Sequence, residues 1–427
     1  MLSGKLILSF IAVSVLLSFG FVVVVDANPS VWSQTYGGAS YDQAASLVEA
    51  SDGGYALAGF THSFGAGGTD FWLVKVDSEG NMEWNRTYGG PDGEWAESLV
   101  EASDGGYALA GFTRSFGAGD SDFWLVKTDA YGNMEWNKTY GGTKSDNPES
   151  LVAASDGGYV IVGITESFAE FWWDIWLIKT DEVGTMEWNQ TYGGEYGDDA
   201  FSVVAASDGG YALVGITCDS PSLELSPHDI LLVKTDEFGK MEWNQTYRGT
   251  GLDRPSSLVA TSDGGYAIAG STRSSGAGKP DFLLIKTDAY GNVEWNRTYG
   301  GTDYEWAGSL VETSDGGYAI AGTTQIEPGV NDIWVIKTDM YGNMQWNQTY
   351  GGTEGDSYGS VVETSDGGYA ISGSTSSFGA GSDDFWLIKT DETGYVPEYS
   401  SWIFLSLLLV ATFVVVIYKK KFLDDHP

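Results

Sequence analysis

Residues 97–140 read ESLVEASDGGYALAGFTRSFGAGDSDFWLVKTDAYGNMEWNKTY, and the order of apolar and turn-forming residues in that stretch decides the fold. Four short apolar segments, Glu97 to Ala102, Tyr107 to Thr113, Asp122 to Asp129 and Met134 to Tyr140, are separated by joints rich in Gly and Asp. Runs of about 5 to 8 residues bounded by such joints are strands, not helices. The joints Ser103-Asp104-Gly105-Gly106 and Ala130-Tyr131-Gly132-Asn133 are tight-turn sequences whose glycines reach positive φ without a Cβ clash. The stretch therefore predicts two hairpins, a four-stranded antiparallel unit.

The unit recurs. Ser-Asp-Gly-Gly-Tyr begins at Ser51, Ser103, Ser155, Ser207, Ser262, Ser314 and Ser365, in steps of 52, 52, 52, 55, 52 and 51 residues. A tryptophan before Thr-Tyr falls at Trp32, Trp84, Trp136, Trp188, Trp243, Trp295 and Trp346 with the same steps. Four-stranded units of about 40 to 50 residues in such arrays predict an all-β, seven-bladed β-propeller. An open solenoid is the rival, and the chain ends argue against it. The array begins with an isolated fourth strand, Trp32 to Gly38, and stops after a third strand, Asp384 to Asp391. A ring needs that offset so that its N-terminal strand completes the last blade, whereas an open array needs polar caps.

Composition agrees. Of 427 residues 59 are Gly, against 10 Pro, and 42% are hydrophobic, which excludes collagen and generic disorder. The formal charge of −38 excludes nucleic-acid wrapping, which needs a basic footprint. Cys218 stands alone, so there is no internal disulfide and no cysteine zinc cluster, and His62, His228 and His426 are too dispersed to form a metal site by spacing.

Both ends point to a membrane. Lys5 precedes an apolar run from Leu6 to Val25, and Val25-Asp26-Ala27 offers a cleavage site, so residues 1–27 read as a secretory signal or, uncleaved, as an anchor. After the propeller, residues 28–394, and a linker, 395–401, the uncharged run 402–418 is long enough to span a bilayer. The basic tail, 419–427, begins with Lys419, Lys420 and Lys421, which places the C-terminus in the cytoplasm and the propeller at the cell surface. The exported body then holds 17 basic and 56 acidic residues, a charge of −39.

Two stretches carry resemblances. Pro397-Glu398-Tyr399, followed by the hydrophobic run and the basic cluster, resembles the C-terminal sorting signals of exosortases and archaeosortases, with Tyr399 departing from their Pro-Glu-Pro or Pro-Glu-Phe motifs. That likeness implies a surface protein held by this helix or moved to another anchor. The turn Asp129-x-x-Gly132-Asn133-x-x-Trp136, and equivalents such as Asp288-x-x-Gly291-Asn292-x-x-Trp295, resemble the Trp-docking repeats of quinoprotein-type propellers. This implies that the tryptophan packs on a neighbouring blade. The adjacent cysteine pair typical of quinoprotein dehydrogenases is missing, so the fold does not bring the cofactor chemistry with it.

Residues repeated in every blade are scaffold; function is expected where the copies disagree. Gly-Gly-Tyr, the docking Trp and the third-strand lysines, Lys75, Lys127, Lys179, Lys234, Lys286, Lys337 and Lys389, belong to the first class. The loop between strands two and three and the connection from strand four to the next strand one vary, and both emerge on one face of the disc. That varied face is where recognition loops sit on a rigid scaffold. Its aromatics are Trp95 and Trp306 at matching positions, Tyr41, Tyr196, Tyr304 and Tyr358, and Phe171-Trp172-Trp173; they either form binding platforms or pack across blades. Seven carboxylates, Asp42, Glu94, Asp146, Asp198, Asp253, Glu305 and Asp356, stand just before the innermost strands, where they would either ring the channel mouth and suit a hard cation such as Ca²⁺ or serve as turn caps.

No nucleophile elbow or histidine zinc motif occurs, and no catalytic residue is nominated. Asn85, Asn137, Asn189, Asn244, Asn296 and Asn347 begin Asn-x-Thr acceptors on the outermost strands, either glycosylated or simply duplicated with the blade. The sequence thus predicts a membrane-anchored surface propeller whose acidic, aromatic face binds a polysaccharide or protein partner. An extracellular carbohydrate-active enzyme and a structural envelope component are the alternatives.

Overall fold

The computed structural model describes residues 31–217, 229–276 and 279–396, and in them seven four-stranded antiparallel sheets form a seven-bladed propeller with no helix. Residues 1–27, Pro397 to Pro427, Cys218 and His228 lie outside the described residues. Within each blade the strands run outward in chain order, and innermost strands of successive blades pack side by side, the last (Asp356–Glu363) against the first (Asp42–Glu49). The fourth strand of the last blade is the N-terminal one. Trp32–Tyr36 pairs with Asp384–Thr390, Trp32 opposite Lys389 and Tyr36 opposite Phe385, which closes the ring.

Burial follows strand position. Third strands such as Asp122–Thr128 are buried at every residue, because a central strand of a blade has a neighbouring blade on each face. Such strands read as continuous apolar runs, while the rim strand Met134–Tyr140 is mostly exposed. The core is accordingly divided into seams. Phe71 and Leu73 of the first blade pack with Leu109, Trp124 and Val126 of the second, and the Phe71 and Trp124 ring centroids lie 4.7 Å apart.

The repeated turn residues lock those seams. Trp84 of the first blade lies 6.0 Å from Tyr107 of the second, edge to face, and covers Gly132, where an added Cβ would overlap the indole. Gly132 has φ +73°, and its carbonyl accepts a 2.7 Å hydrogen bond from the Tyr88 hydroxyl. Asp129 caps the turn through the amides of Tyr131 and Asn133. The Trp–Tyr contact recurs at all seven seams. The inter-blade tyrosine bond does so too, and both include the closing seam made by Trp32 and Tyr36. Removing one such hydroxyl by Tyr88→Phe strands a buried carbonyl and is expected to cost about 1 kcal/mol in urea denaturation. Each third-strand lysine is also part of the scaffold. Lys127 is buried and donates to Asp104 at 2.7 Å, Glu135 at 3.0 Å and the Thr128 carbonyl at 2.8 Å.

The innermost strand of the second blade begins at Glu94, three residues before the expected start. Its register with the second strand skips Glu97, so that Ala96 pairs with Gly111 and Ser98 with Ala110. Glu97 is a β-bulge, an extra residue left unpaired on the strand nearest the axis. The same break follows Ala44, Pro148, Ala200, Pro255, Ala307 and Tyr358. The serine after the bulge reaches sideways, Ser46 Oγ accepting from the Leu99 amide at 3.1 Å and Ser98 Oγ from the Leu151 amide at 3.1 Å. Ser150, Ser202, Ser257 and Ser309 make the same bond, which explains the serine's repetition.

Candidate functional site: the axial channel

The bulges decide what faces the axis. Around the ring the bulged position carries Ala45, Glu97, Glu149, Phe201, Ser256, Gly308 and Gly359, a position that changes within a strand otherwise nearly constant. Two residues earlier stand Gln43, Trp95, Asn147, Asp199, Arg254, Trp306 and Ser357, again nearly all different. All of the first row, and Gln43, Arg254, Trp306 and Ser357 of the second, line a cavity of about 520 Å³ along the axis, with Tyr358 also in its wall. The disagreement between copies was legible in the sequence, but the bulge that turns it toward the channel was not.

Glu97 and Glu149 project from adjacent blades, and neither carboxylate accepts a hydrogen bond among the described residues. Protein surrounds Glu97 and its neighbour Glu149 is also charged, which together push Glu97 up to about 8. Glu149 keeps an exposed surface in the open channel yet is enclosed by the ring, and that enclosure first and Asp199 second raise it to about 7, while Arg254 pulls it back. The Arg254 guanidinium lies 4.6 Å from the Phe201 ring centroid, a cation–π contact that holds it against the wall. Tyr358 takes the place of the Ala or Pro of the other blades, and its ring lies where a side chain at residue 308 would be, so only Gly308 fits beside it. Burial raises its phenol.

The varied loops do share one face, as the sequence implies. The His62 amide donates to the Tyr41 carbonyl and the Glu94 amide to the Thr69 carbonyl, joining the two kinds of connection at the channel mouth. Their aromatics do not act together. Trp306 is 38% exposed and lines the channel. Trp95, its counterpart, is half-buried between blades, stacked 4.8 Å from Phe112, edge-on to Phe60 at 6.0 Å and capped by the Arg114 guanidinium at 5.4 Å. Phe171 and Trp172 are exposed, whereas Trp173 is half-buried with its indole N–H unpartnered. Tyr304 carries the Lys279 ammonium 4.5 Å above its ring, and Tyr196 is half-buried.

The seven carboxylates do not ring the mouth. Asp42, Glu94, Asp146, Asp253, Glu305 and Asp356 open the innermost strands and Asp198 precedes one; all are buried and none lines the channel. Each serves as a cap. Glu94 accepts from the Thr113 hydroxyl at 2.9 Å, the Ser115 amide at 3.0 Å and the Gly90 amide at 2.8 Å. Among the described residues no group of three or more His, Cys, Asp or Glu side chains is placed to hold a metal ion.

Sequence reasoning missed the partner of each cap. The first residue of the third strand, Asp70, meets Glu94 of the next blade beside Gly89, where an added Cβ would overlap one carboxylate and touch the other. The Asp70, Asp332 and Asp384 Oδ1 atoms are buried without a hydrogen-bond partner. In one junction Arg248 replaces the glycine, and its Nε lies 3.3 Å from Asp229. The six acceptor asparagines, Asn85, Asn137, Asn189, Asn244, Asn296 and Asn347, are all exposed on the rim.

No known family's sequence profile matches the chain. A segment of 114 residues, 24% of the chain, is 29% identical to the regulatory protein FlaEY of Caulobacter vibrioides, and covers 12% of that protein's length. Among solved structures, the Pan2 WD40 domain of Neurospora crassa superposes with a TM-score of 0.53 at 9% identity, over 86% of this chain and 98% of that one. A Dyadobacter fermentans protein of unknown function gives a TM-score of 0.49 at 11% identity, over 84% and 98%. The likeness to the Pan2 domain, at 9% identity, is one of fold, a propeller, and this chain is a seven-bladed one.

Proposed function

We propose that the chain is a surface-displayed, membrane-anchored binding module whose ligand enters the axial channel from the varied face. One observation carries this: the innermost strands repeat nearly residue for residue, yet the bulged position, which lines the cavity in all seven blades, changes around the ring. A purely structural ring has no use for such divergence at its axis, while a recognition site on a rigid scaffold does. The reading of the two ends, signal and spanning helix, supports display at the surface with the C-terminus in the cytoplasm. A charge of −38 favours cationic or neutral partners, among them a surface polysaccharide or a protein.

The same two carboxyls bear on the enzymatic alternative. Glycoside hydrolysis needs one protonated and one ionised carboxyl. With both raised, to about 8 and about 7, both are mostly protonated at pH 6 and the pair holds about one proton near pH 7.5, so a direct assay of turnover decides between the two readings. The test is a screen of the purified full-length protein on glycan arrays, polysaccharides and envelope proteins, with a reducing-sugar assay alongside. Binding is expected to fall at least tenfold in Trp306→Ala, with Phe171→Ala unaffected. Sugar release by the parent protein, or binding that ignores Trp306, overturns the proposal.

A further inference from the structure

The channel wall is divided by charge and by shape, and that division names a ligand class. Glu97 and Glu149 stand on the second and third blades, while Trp306 and Tyr358 stand on the sixth and seventh, across the ring. Gly308 makes room for the Tyr358 ring, which builds the aromatic side of the wall. Resting on the reading of the channel as the binding site, we propose that it receives a primary ammonium group on a slender aliphatic chain, the ammonium between the Glu97 and Glu149 carboxylates and the stem against the aromatic wall.

Three observations select an amine over other occupants. Both carboxylates lack a hydrogen-bond donor among the described residues, and an ammonium supplies three. A divalent metal takes six or more oxygen ligands, and although Gln43, Ser256, Ser271 and Ser357 add oxygens to the wall, the Arg254 guanidinium in it repels a dication more than a monocation. An acidic ligand would meet two carboxyl groups inside a body that already carries a large negative charge. An aromatic wall facing carboxylates suits an alkylammonium, whose stem and charge both find a complement.

The proton inventory supports this. Glu97 faces Glu149, and Glu149 faces Glu97, Asp199 and Arg254. Near pH 7.5 the pair retains about one proton, because these groups hold it at about 8 and about 7. Seating an ammonium ionises both carboxyls and expels that proton to solvent.

Titration calorimetry on the full-length protein, with 1,4-diaminobutane, n-butylamine and butane-1,4-diol at pH 7.5 in two buffers of different ionisation enthalpy, tests the assignment. The amines are expected to bind with net proton release and the diol not to bind. Glu97→Gln with Glu149→Gln is expected to weaken the amines at least tenfold and to abolish the proton release, while melting no lower than the parent. No amine binding at millimolar concentration, equal binding by the diol or the double variant, or Ca²⁺ binding that amines do not displace each overturns the proposal. If a glycan or protein then binds in a Trp306-dependent way that the double variant retains, the channel remains the site and only the amine assignment falls.

Discussion

Trp32→Ala is expected to destabilise the protein by about 3–5 kcal/mol in chemical denaturation, the cost of truncating a buried indole. Trp32 is 6% exposed, its ring lies 5.9 Å from Tyr55, and its N–H donates to the Ser78 carbonyl at 3.0 Å. The strand it anchors differs from every other rim strand. Trp84 sits on a strand tied to its neighbour by the Asp77–Asn81 turn, whereas Trp32–Tyr36 meets Asp384–Thr390 with no turn between them. This strand is therefore held by one hydrogen-bonded ladder, one docked tryptophan and the Tyr36 hydroxyl bond to the Gly80 carbonyl, and its local release leaves the ring closed only by the inner strands. Trp84→Ala is expected to cost less, since its indole is half-buried and its hairpin persists. Limited proteolysis separates the cases: rapid cleavage near residue 37 in Trp32→Ala, with Trp84→Ala protected there. Equal protection in both variants would mean that closure does not depend on this anchor.

The ring was legible because its signals are local and repeated. The turn glycines, the docking tryptophan and the offset chain ends each follow from a few consecutive residues, and duplication makes them plain. The channel is different. Strand alternation assigns every second residue to one face, and a bulge breaks that rule at Glu97 and its equivalents, so the residues nearest the axis looked like ordinary strand positions. Attention to the loops singled out Trp95 with Trp306, although a stack with Phe112 takes one of them out of play. The cap carboxylates were seen, and their contact with Asp70 and its equivalents was not, because it joins adjacent blades across a glycine whose role is to leave room.

Those inter-blade carboxylates and the buried lysines act on stability with opposite signs. Asp332 is pushed up to about 6, by burial first and by Asp356 second, and Asp70 and Asp384 are also raised. A carboxyl raised in the folded state binds its proton more tightly there than in the unfolded chain. Its stabilising effect is complete below about pH 4 and is lost as pH climbs through about 6. Glu97 and Glu149 extend that loss to about pH 8. The lysine-paired aspartates run the other way. Asp263 and Asp315 are lowered to about 2, through Lys286 and Thr261 and through Thr313 and Lys337, against the opposing pull of burial. Their contribution is present above about pH 4 and is lost as pH falls toward 2. The melting temperature is thus expected to peak near about pH 4–5 and to decline toward pH 8. Asp332→Asn removes a charge that has no hydrogen-bond partner at Oδ1 and supplies an amide donor toward Asp356. It is expected to stabilise by on the order of 1–2 kcal/mol at pH 8, to change little at pH 4, and so to flatten the slope between them. Arg248→Gly removes the guanidinium that Asp229 faces, leaving this junction like the others, and is expected to steepen it. A melting temperature that rises from pH 4 to pH 8, or an Asp332→Asn gain equal at both, would show that these junctions are held by something other than a shared proton.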